Sequence, residues 1–209
     1  MNSDQIHHIL KHHQPQSLGQ YKPKETAVLL PLIQKEDGLH ILFEVRSLSM
    51  RRQPGEVCFP GGQVDDEDDD ANEAALRELH EELGVSKEQV DYTQSLGWLQ
   101  TPFGLKVHAY VGLLKTPSTS SFTLNPDEVA DVFTVPLAHF LQNGPTIHYM
   151  NMAIEPDDSF PLHHVPNQKM YTKQSFQIEE HFYYFEDRVI WGLTARILKD
   201  FIHILAENT

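Results

Sequence analysis

Three glutamates with helical spacing are the residues of this chain best suited to do chemistry. Glu78, Glu81 and Glu82 stand at positions i, i+3 and i+4, and at about 3.6 residues per turn they share one face of a helix. Like charges at these spacings repel one another, and a bound cation offsets that repulsion. Carboxylate oxygens without Cys or His suit Mg²⁺ or Mn²⁺ rather than Zn²⁺. The spacing therefore indicates a divalent-metal site, with a solvated acidic face as the alternative.

The residues around these glutamates favour a helix from about residue 72 to 83. Leucines share another face, where they can pack on a core: Leu76, Leu79 and Leu83. Gly84 follows the last leucine, and glycine is the usual residue where a helix ends in the left-handed conformation. Residues 65–70 are an unbroken acidic run. Negative charge at that place stabilises a helix N-terminus.

The stretch from Gly62 to Val85 resembles a Nudix box, in which a glycine and an acidic loop precede R-E-hydrophobic-x-E-E-x-G-hydrophobic. The second half matches at every constrained position. The first half departs, because Asp69 stands where the usual box has Glu and Gln63 stands where it has Gly. The loop is thus one residue longer than the common pattern. Asp68 or Asp69 takes the place of the usual Glu, and the residues leave that choice open.

The segment upstream is similar to the coenzyme A diphosphatase branch of the Nudix family. That branch carries R-S-x3-R-x3-G-x3-F-P-G-G, and the chain matches it with Arg46-Ser47, Arg51, Gly55 and Phe59-Pro60-Gly61-Gly62. Asp65 and Asp68 follow the glycine pair at the spacing of the same branch, and residues 191–195 resemble it too. The resemblance covers about residues 25–200.

The resemblance implies an α/β fold, the Nudix-type α/β/α sandwich with a mixed β-sheet between helices. It implies a site that holds Mg²⁺ or Mn²⁺, with Glu78 and Glu82 as the main metal ligands. Glu81 would share a metal or serve the attacking water, and Gly62 would offer its backbone carbonyl to a metal. Arg77 would orient a carboxylate, with a surface ion pair as the alternative.

The implied reaction is hydrolysis of the pyrophosphate of coenzyme A or a derivative, giving 4′-phosphopantetheine and adenosine 3′,5′-bisphosphate. Arg46 and Arg51 are the expected phosphate contacts, because guanidinium groups suit phosphate; solvated loop arginines are the alternative. A Nudix hydrolase of ADP-ribose, dinucleotides or nucleoside triphosphates would keep the metal helix without that upstream signature. A non-catalytic nucleotide-sensing Nudix domain is the other class.

Several further residues are candidates for smaller roles. Glu128 could act as a base or distant metal ligand, or could only begin a strand. Cys58 is interpreted as a small core residue rather than a nucleophile, since no catalytic cysteine pattern surrounds it. Three aromatic residues could stack on an adenine, and the sequence does not choose among them: Phe103, Phe122 and Tyr171.

Charge and composition narrow the class of partner. Over 209 residues the formal net charge is −14, which lacks the basic excess that non-specific nucleic-acid binding needs. The expected partner is a small nucleotide pyrophosphate of the coenzyme A type, not nucleic acid or a membrane, and a homodimer is left open. No apolar run has signal-peptide length or the roughly 20 residues needed to cross a bilayer. The final tripeptide is not a peroxisomal signal, and Cys58 is the single cysteine. A cytoplasmic protein is expected.

The chain is predicted to comprise an N-terminal helix and linker, residues 1–24, and one domain, residues 25–205. The N-terminal histidines are interpreted as helix surface. Asp37-Gly38 between two apolar runs predicts a hairpin. Strands are predicted at residues 26–33, 39–45, 56–59, 95–100, 107–114, 129–135 and 146–154. Residues 176–178 and 181–185 are predicted to form another hairpin, and residues 189–205 a second long helix.

Overall fold

The computed structural model describes residues 1–13, 23–102, 104–116, 118–168, 171 and 174–207. Its helices are α1 (Ser3–Lys11), α2 (Ala71–Leu83), α3 (Leu137–Gln142) and α4 (Gly192–Glu207). Its strands are β1 (Lys24–Lys35), β2 (Gly38–Arg46), β3 (Val57–Cys58), β4 (Gly61–Gln63), β5 (Val90–Gln100), β6 (Leu105–Leu114), β7 (Val129–Pro136), β8 (Thr146–Ile154), β9 (Gln174–Phe185) and β10 (Arg188–Ile190).

A mixed seven-stranded sheet forms the centre of the fold. Its main path runs β3-β2-β1-β6-β5, with β4 added to β1 and β7 added to β2. Strands β1 and β6 are parallel, and their neighbours in this sheet are antiparallel. The predicted hairpin at Asp37-Gly38 is confirmed, because β1 and β2 pair on either side of it down to Lys35 and Gly38.

The sheet has helices on both faces, which confirms the predicted sandwich. Successive side chains of a strand point to opposite faces, and β1 shows this directly. Leu30 packs in the core that includes the α4 residues Leu198 and Phe201. Leu29 packs in the core that includes Leu79 of α2. Each face of the sheet therefore buries the apolar side of one long helix.

Helix α2 begins and ends where its sequence supplies caps. The Asp70 side chain accepts hydrogen bonds from the backbone N–H groups of Asn72 and Glu73, which satisfies donors that the first helical turn leaves unpaired. Gly84 adopts φ 68° and ψ 16°, the left-handed conformation that glycine takes without a steric cost. The predicted end of this helix is confirmed, and its start is one residue earlier than predicted.

A second, three-stranded antiparallel sheet follows in the order β10-β9-β8. Here the predicted hairpin at 176–178 and 181–185 is wrong, because β9 is one continuous strand that pairs with β8 from Gln174 to Phe182. The predicted start of the last helix is also wrong. Residues 188–190 continue the sheet by pairing with β9, and α4 begins only at Gly192. Apolar residues at 189 and 190 fit a helical period, but strand pairing decides their conformation.

Helix α1 has no buried residue, so the described contacts place it outside the two cores. Most of the linker predicted before residue 25, namely residues 15–22, lies outside the described residues. No helix in the described ranges combines the length and apolar character that a membrane-spanning helix needs.

Candidate active site

The carboxylates of α2 point in two directions. The Glu82 residue is 4% exposed, and the Glu78 side chain is 14% exposed, whereas that of Glu81 is 50% exposed. Their shared helix face therefore divides into an inner pair, Glu78 and Glu82, and an outer member, Glu81. The leucines of the opposite face are buried, as predicted: Leu76, Leu79 and Leu83.

Strand β4 holds the inner pair against the edge of the sheet. The Gly61 backbone N–H donates a hydrogen bond to Oε2 of Glu82 over 2.9 Å. At Gly62 the backbone passes so close to the Glu78 carboxylate that an added Cβ would collide with it. This close approach explains why position 62 needs a residue without a side chain. The strand predicted at residues 56–59 stops before these glycines, which instead form a separate strand, β4, that pairs with β1.

Arg77 connects the acidic loop to the helix carboxylates. Its Nε donates to Asp68 Oδ1 over 3.0 Å and its Nη2 donates to Asp68 Oδ2 over 3.1 Å. Its Nη1 donates to Glu78 Oε1 over 2.9 Å and to Glu81 at 3.3 Å. Nη2 also donates to the Gln63 carbonyl over 2.9 Å. Of the two aspartates left open by the sequence, Asp68 is thus the one bound by Arg77.

A further buried carboxylate, Glu44, lies on the same side of the sheet. It is 1% exposed within β2. Because residues two apart in a strand point to the same face of the sheet, Glu44 points to the same face as Leu42, which packs in the core with α2. The Cys58 thiol donates to Glu44 Oε1 over 3.1 Å. Cys58 is half-buried rather than fully in the core, and its thiol is a polar partner of this carboxylate.

Burial and mutual repulsion shape the electrostatics of these groups. Burial raises the pKa of Glu82, and the nearby negative charge of Glu44 raises that pKa further. Burial is also the main reason that the pKa of Glu78 is raised, although the Arg77 hydrogen bond opposes it. The pKa of Glu44 is raised by burial as well, and the charges of Glu128 and Glu78 add to that effect. The carboxylates thus form one electrostatically linked group.

The donor set of this group fits a hard divalent cation. Its atoms are carboxylate and backbone oxygens, the ligands that Mg²⁺ and Mn²⁺ prefer. Glu44 Oε2 is buried without a hydrogen-bond partner in the described part of the chain, and a cation satisfies such an oxygen. Among the described residues, no group of three or more His, Cys, Asp or Glu side chains is arranged so that it could hold a metal ion by itself. An open array suits Mg²⁺, which binds through one or two carboxylates together with substrate phosphates.

A cavity of about 560 Å³ adjoins this group on the α4 side of the sheet. Gly61 and Gly62 line it, and the same two residues contact Glu82 and Glu78. Its walls are mostly apolar, with Val28 and Val107 from the sheet. Other lining side chains come from the second sheet and the start of α4: Met150, Ile178, Trp191, Leu193 and Ile197. The cavity is therefore a place where part of a substrate can lie beside the carboxylates.

The structure separates the two predicted phosphate-binding arginines. Arg46 lines the cavity, and its Nε donates to the Arg52 carbonyl over 3.4 Å. Arg51 is exposed in the loop after β2 and is not among the cavity residues. Backbone hydrogen bonds anchor that loop on both sides of Arg51. The Ser47 N–H donates to the Glu128 carbonyl, and the Gly55 N–H donates to the Arg46 carbonyl.

The aromatic candidates for adenine stacking fall outside the cavity or outside the described residues. Phe122 packs against the α2 core, and Tyr171 is exposed away from the cavity lining. Phe103 lies outside the described residues. Trp191 lines the cavity instead and stacks on Phe182 with ring centroids 5.7 Å apart.

Arg196 and Glu44 are two charged residues to which the sequence prediction gave no role. Arg196 lines the cavity from α4, and its helix position gave no sign of this. Glu44 was detectable, because it is the single acidic residue of a mostly apolar run that the sequence predicts as a strand, residues 39–45. A charge on the buried face of a strand is uncommon and indicates a partner.

Comparison with known proteins places the chain in a family. The model of the NUDIX domain matches residues 23–151. A peroxisomal coenzyme A diphosphatase of Caenorhabditis elegans, ndx-8, is 40% identical over 148 residues, which are 68% of this chain and 58% of that protein. The mouse peroxisomal coenzyme A diphosphatase NUDT7 is 37% identical over 139 residues, 66% of this chain and 56% of that protein. The chain thus spans little more than half the length of these two relatives.

Two further proteins match over more of their length. NudL of Photorhabdus laumondii, named as an uncharacterized Nudix hydrolase, is 34% identical over 185 residues, 88% of this chain and 84% of that protein. A MutT/nudix family protein from Enterococcus faecalis shares the fold with a TM-score of 0.56, at 14% identity over 99% of this chain and 70% of that one. The chain therefore belongs to the Nudix family.

Proposed function

We propose that this protein hydrolyses the pyrophosphate bond of coenzyme A or a close derivative, with Mg²⁺ or Mn²⁺ as its cofactor. The products are 4′-phosphopantetheine and adenosine 3′,5′-bisphosphate. The observation that carries this proposal is the place of Gly61 and Gly62. They contact the carboxylates Glu82 and Glu78 on one side, and they line the cavity that Arg46 also lines on the other.

That arrangement supports a substrate with an extended part beside its phosphates. A pyrophosphate near the glycines would meet the carboxylate-bound cation, while an adjoining group lies in the mostly apolar cavity. Arg46 brings a guanidinium to the cavity, which suits a phosphate. The names of the worm and mouse relatives agree with a coenzyme A substrate. The net charge of −14 makes such local cations necessary, because the protein as a whole repels anions.

The residues that would hold the metal are the inner carboxylates Glu78 and Glu82, with the Gly62 carbonyl beside them. When bound, a divalent ion neutralises phosphate oxygens and helps to generate a water nucleophile. Glu81 is more exposed and bonded to Arg77. It is placed to share an ion or to accept a proton from the attacking water. Glu128 lies within electrostatic reach of Glu78 and Glu82 and is a second candidate for that proton.

Arg77 is a positioning residue in this proposal. Its guanidinium holds the Glu78 and Glu81 carboxylates while Asp68 holds the guanidinium in turn. The Asp68 hydrogen bond raises the pKa of Arg77, so the side chain stays charged. Because Asp68 takes both Nε and Nη2, the orientation of the guanidinium plane is fixed. Fixed carboxylates lose less entropy when they bind an ion.

A substrate panel tests the proposed function. The protein is incubated with coenzyme A, ADP-ribose, NADH or diadenosine polyphosphates, each with Mg²⁺ or Mn²⁺, and the products are identified by mass. The proposal predicts 4′-phosphopantetheine and adenosine 3′,5′-bisphosphate as the fastest-formed pair. Faster cleavage of ADP-ribose or a dinucleotide would assign a different Nudix substrate. Binding without any cleavage would identify a nucleotide sensor.

A further inference from the structure

Glu44 is a buried carboxylate with an unsatisfied oxygen. Its residue is 1% exposed, and of its two carboxylate oxygens only Oε1 has a partner, the Cys58 thiol. Oε2 has no hydrogen-bond partner among the described residues. A thiol is a weak donor, and a buried carboxyl group with one weak bond costs free energy that folding alone does not recover. The position therefore needs a function to explain it.

The groups around Glu44 are mostly of its own sign. Glu78, Glu82 and Glu128 are all close enough to influence it electrostatically. Arg46 is the nearby opposite charge, yet no salt bridge joins Arg46 to Glu44 within the described ranges, and the Arg46 Nε is directed to the Arg52 carbonyl. Glu44 thus has several carboxylates near it and, among the described residues, no ion pair of its own, whereas Glu78 is paired with Arg77.

We propose that Glu44 is a further carboxylate ligand of the divalent cation that the proposed function requires. Strand alternation puts its side chain on the face of the sheet that α2 covers, and α2 is the helix that carries Glu82. The unpartnered Oε2 is an oxygen donor of the kind that Mg²⁺ and Mn²⁺ bind. Strand β2 thereby adds a rigid ligand to those of the helix. This inference rests on the proposed function, since it concerns the same ion.

Cys58 has a positioning role in this arrangement. Cys58 and Glu44 are register partners on β3 and β2, and the thiol fixes Oε1 at 3.1 Å. With Oε1 held by the strand neighbour, Oε2 is the oxygen left for the ion. A serine at position 58 keeps a hydroxyl donor of similar size, so Cys58→Ser should retain the wild-type metal affinity.

Mn²⁺ binding to the whole protein tests the inference without using activity. Free and bound Mn²⁺ are separated by electron paramagnetic resonance, with wild type, Glu44→Gln and Glu36→Gln compared. Gln keeps the size of the side chain and an acceptor for the thiol but removes the charge. Glu36 is exposed in the turn between β1 and β2, so its variant is matched for loss of one negative charge. Glu44→Gln should weaken Mn²⁺ binding about tenfold to a hundredfold, and Glu36→Gln should leave it within about twofold.

Each outcome decides a specific point. Equal Mn²⁺ affinity in wild type and folded Glu44→Gln would overturn the inference while leaving the proposed function in place. A wild-type protein that binds no Mn²⁺ or Mg²⁺ would overturn both. If Glu44→Gln does not fold, Glu44→Thr repeats the test, because a neutral β-branched residue suits a strand. A folded Glu44→Thr with unchanged Mn²⁺ affinity would overturn the inference in the same way.

Discussion

The Gly61 backbone N–H donates a hydrogen bond to Oε2 of Glu82 over 2.9 Å. This bond joins the helix that carries the site, α2, to the short strand that borders the cavity, β4. It also occupies one of the two carboxylate oxygens of Glu82. A helix side chain and a strand backbone are thereby held in one geometry, which is what preorganised charge stabilisation requires.

Replacing Glu82 tests the inner carboxylate pair. Glu82→Gln should lower kcat by about two to three orders of magnitude, the scale lost with a central charge-stabilising group. Steady-state kinetics at saturating Mg²⁺ measures this, and circular dichroism checks the fold. Glu73→Gln is the control on the same helix, since Glu73 pairs with Lys87 away from the cavity. Activity of Glu82→Gln within tenfold of wild type would remove Glu82 from the site.

The close approach at Gly62 gives a second prediction. In Gly62→Ala the added Cβ meets the Glu78 carboxylate, so either β4 or Glu78 must move. A displacement near 1 Å at reacting groups costs about a hundredfold in rate, and kcat should fall by that order. Gly144→Ala is the matched control, because a Cβ at Gly144 meets nothing within 4 Å. If both variants keep wild-type kcat, the contact of Gly62 with Glu78 has no catalytic importance.

Metal removal should abolish activity and leave the fold intact. The proposed ligands are oxygen donors on α2, and α2 packs on the core through buried leucines that need no metal: Leu76, Leu79 and Leu83. Hydrolysis should therefore stop after treatment with EDTA and return with Mg²⁺ or Mn²⁺, while far-ultraviolet circular dichroism stays unchanged. Full hydrolysis after exhaustive chelation would contradict a metal-dependent mechanism.

The two arginines of the upstream signature should differ in what they recognise. Arg46 lines the cavity beside the glycines, and Arg51 lies outside it in the following loop. Arg51→Ala should lower kcat/KM for coenzyme A by roughly ten- to a hundredfold, the value of a charged hydrogen bond to phosphate. Dephospho-coenzyme A lacks only the 3′-phosphate and should be much less affected.

Arg46→Ala is the comparison for that experiment. Because Arg46 lines the same cavity as Gly61 and Gly62, its loss should slow coenzyme A and dephospho-coenzyme A to a similar extent. The readout is the ratio of the two kcat/KM values in each variant. An equal loss for both substrates in Arg51→Ala would assign Arg51 to the pyrophosphate or to the loop. No loss would make it a solvated residue.

Local sequence signals predicted the parts of the fold that are set locally. Gly84 ends α2 through its own backbone preference, and Asp37-Gly38 forms its turn in the same way. The errors lie where pairing between distant segments decides. The short strand that contains Gly61 and Gly62 and pairs with β1 was not predicted, and β9 runs unbroken because β8 pairs with its first part and β10 with its last three residues. Pairing of this kind overrides local propensity.

The candidate site shows the same division between features set by local sequence and features set by long-range packing. Helical spacing brought Glu78, Glu81 and Glu82 together in the prediction, but it could not show that Glu81 is the exposed member, because burial depends on β4. Glu44 comes from a strand far away in sequence, and only the packing of α2 on the sheet brings it to the helix carboxylates. Trp191 lines the cavity through the placement of the second sheet.

The most direct test of the proposed function is the ratio of kcat/KM for coenzyme A to that for ADP-ribose, measured on the wild-type protein with Mg²⁺ and again with Mn²⁺. Both substrates have a pyrophosphate attached to adenosine, so the ratio isolates the 3′-phosphate and the pantetheine arm. Arg46, Arg51 and the adjoining cavity predict a ratio well above about ten, the factor that corresponds to 1.4 kcal/mol. A ratio of one or less with both metals would contradict the coenzyme A assignment.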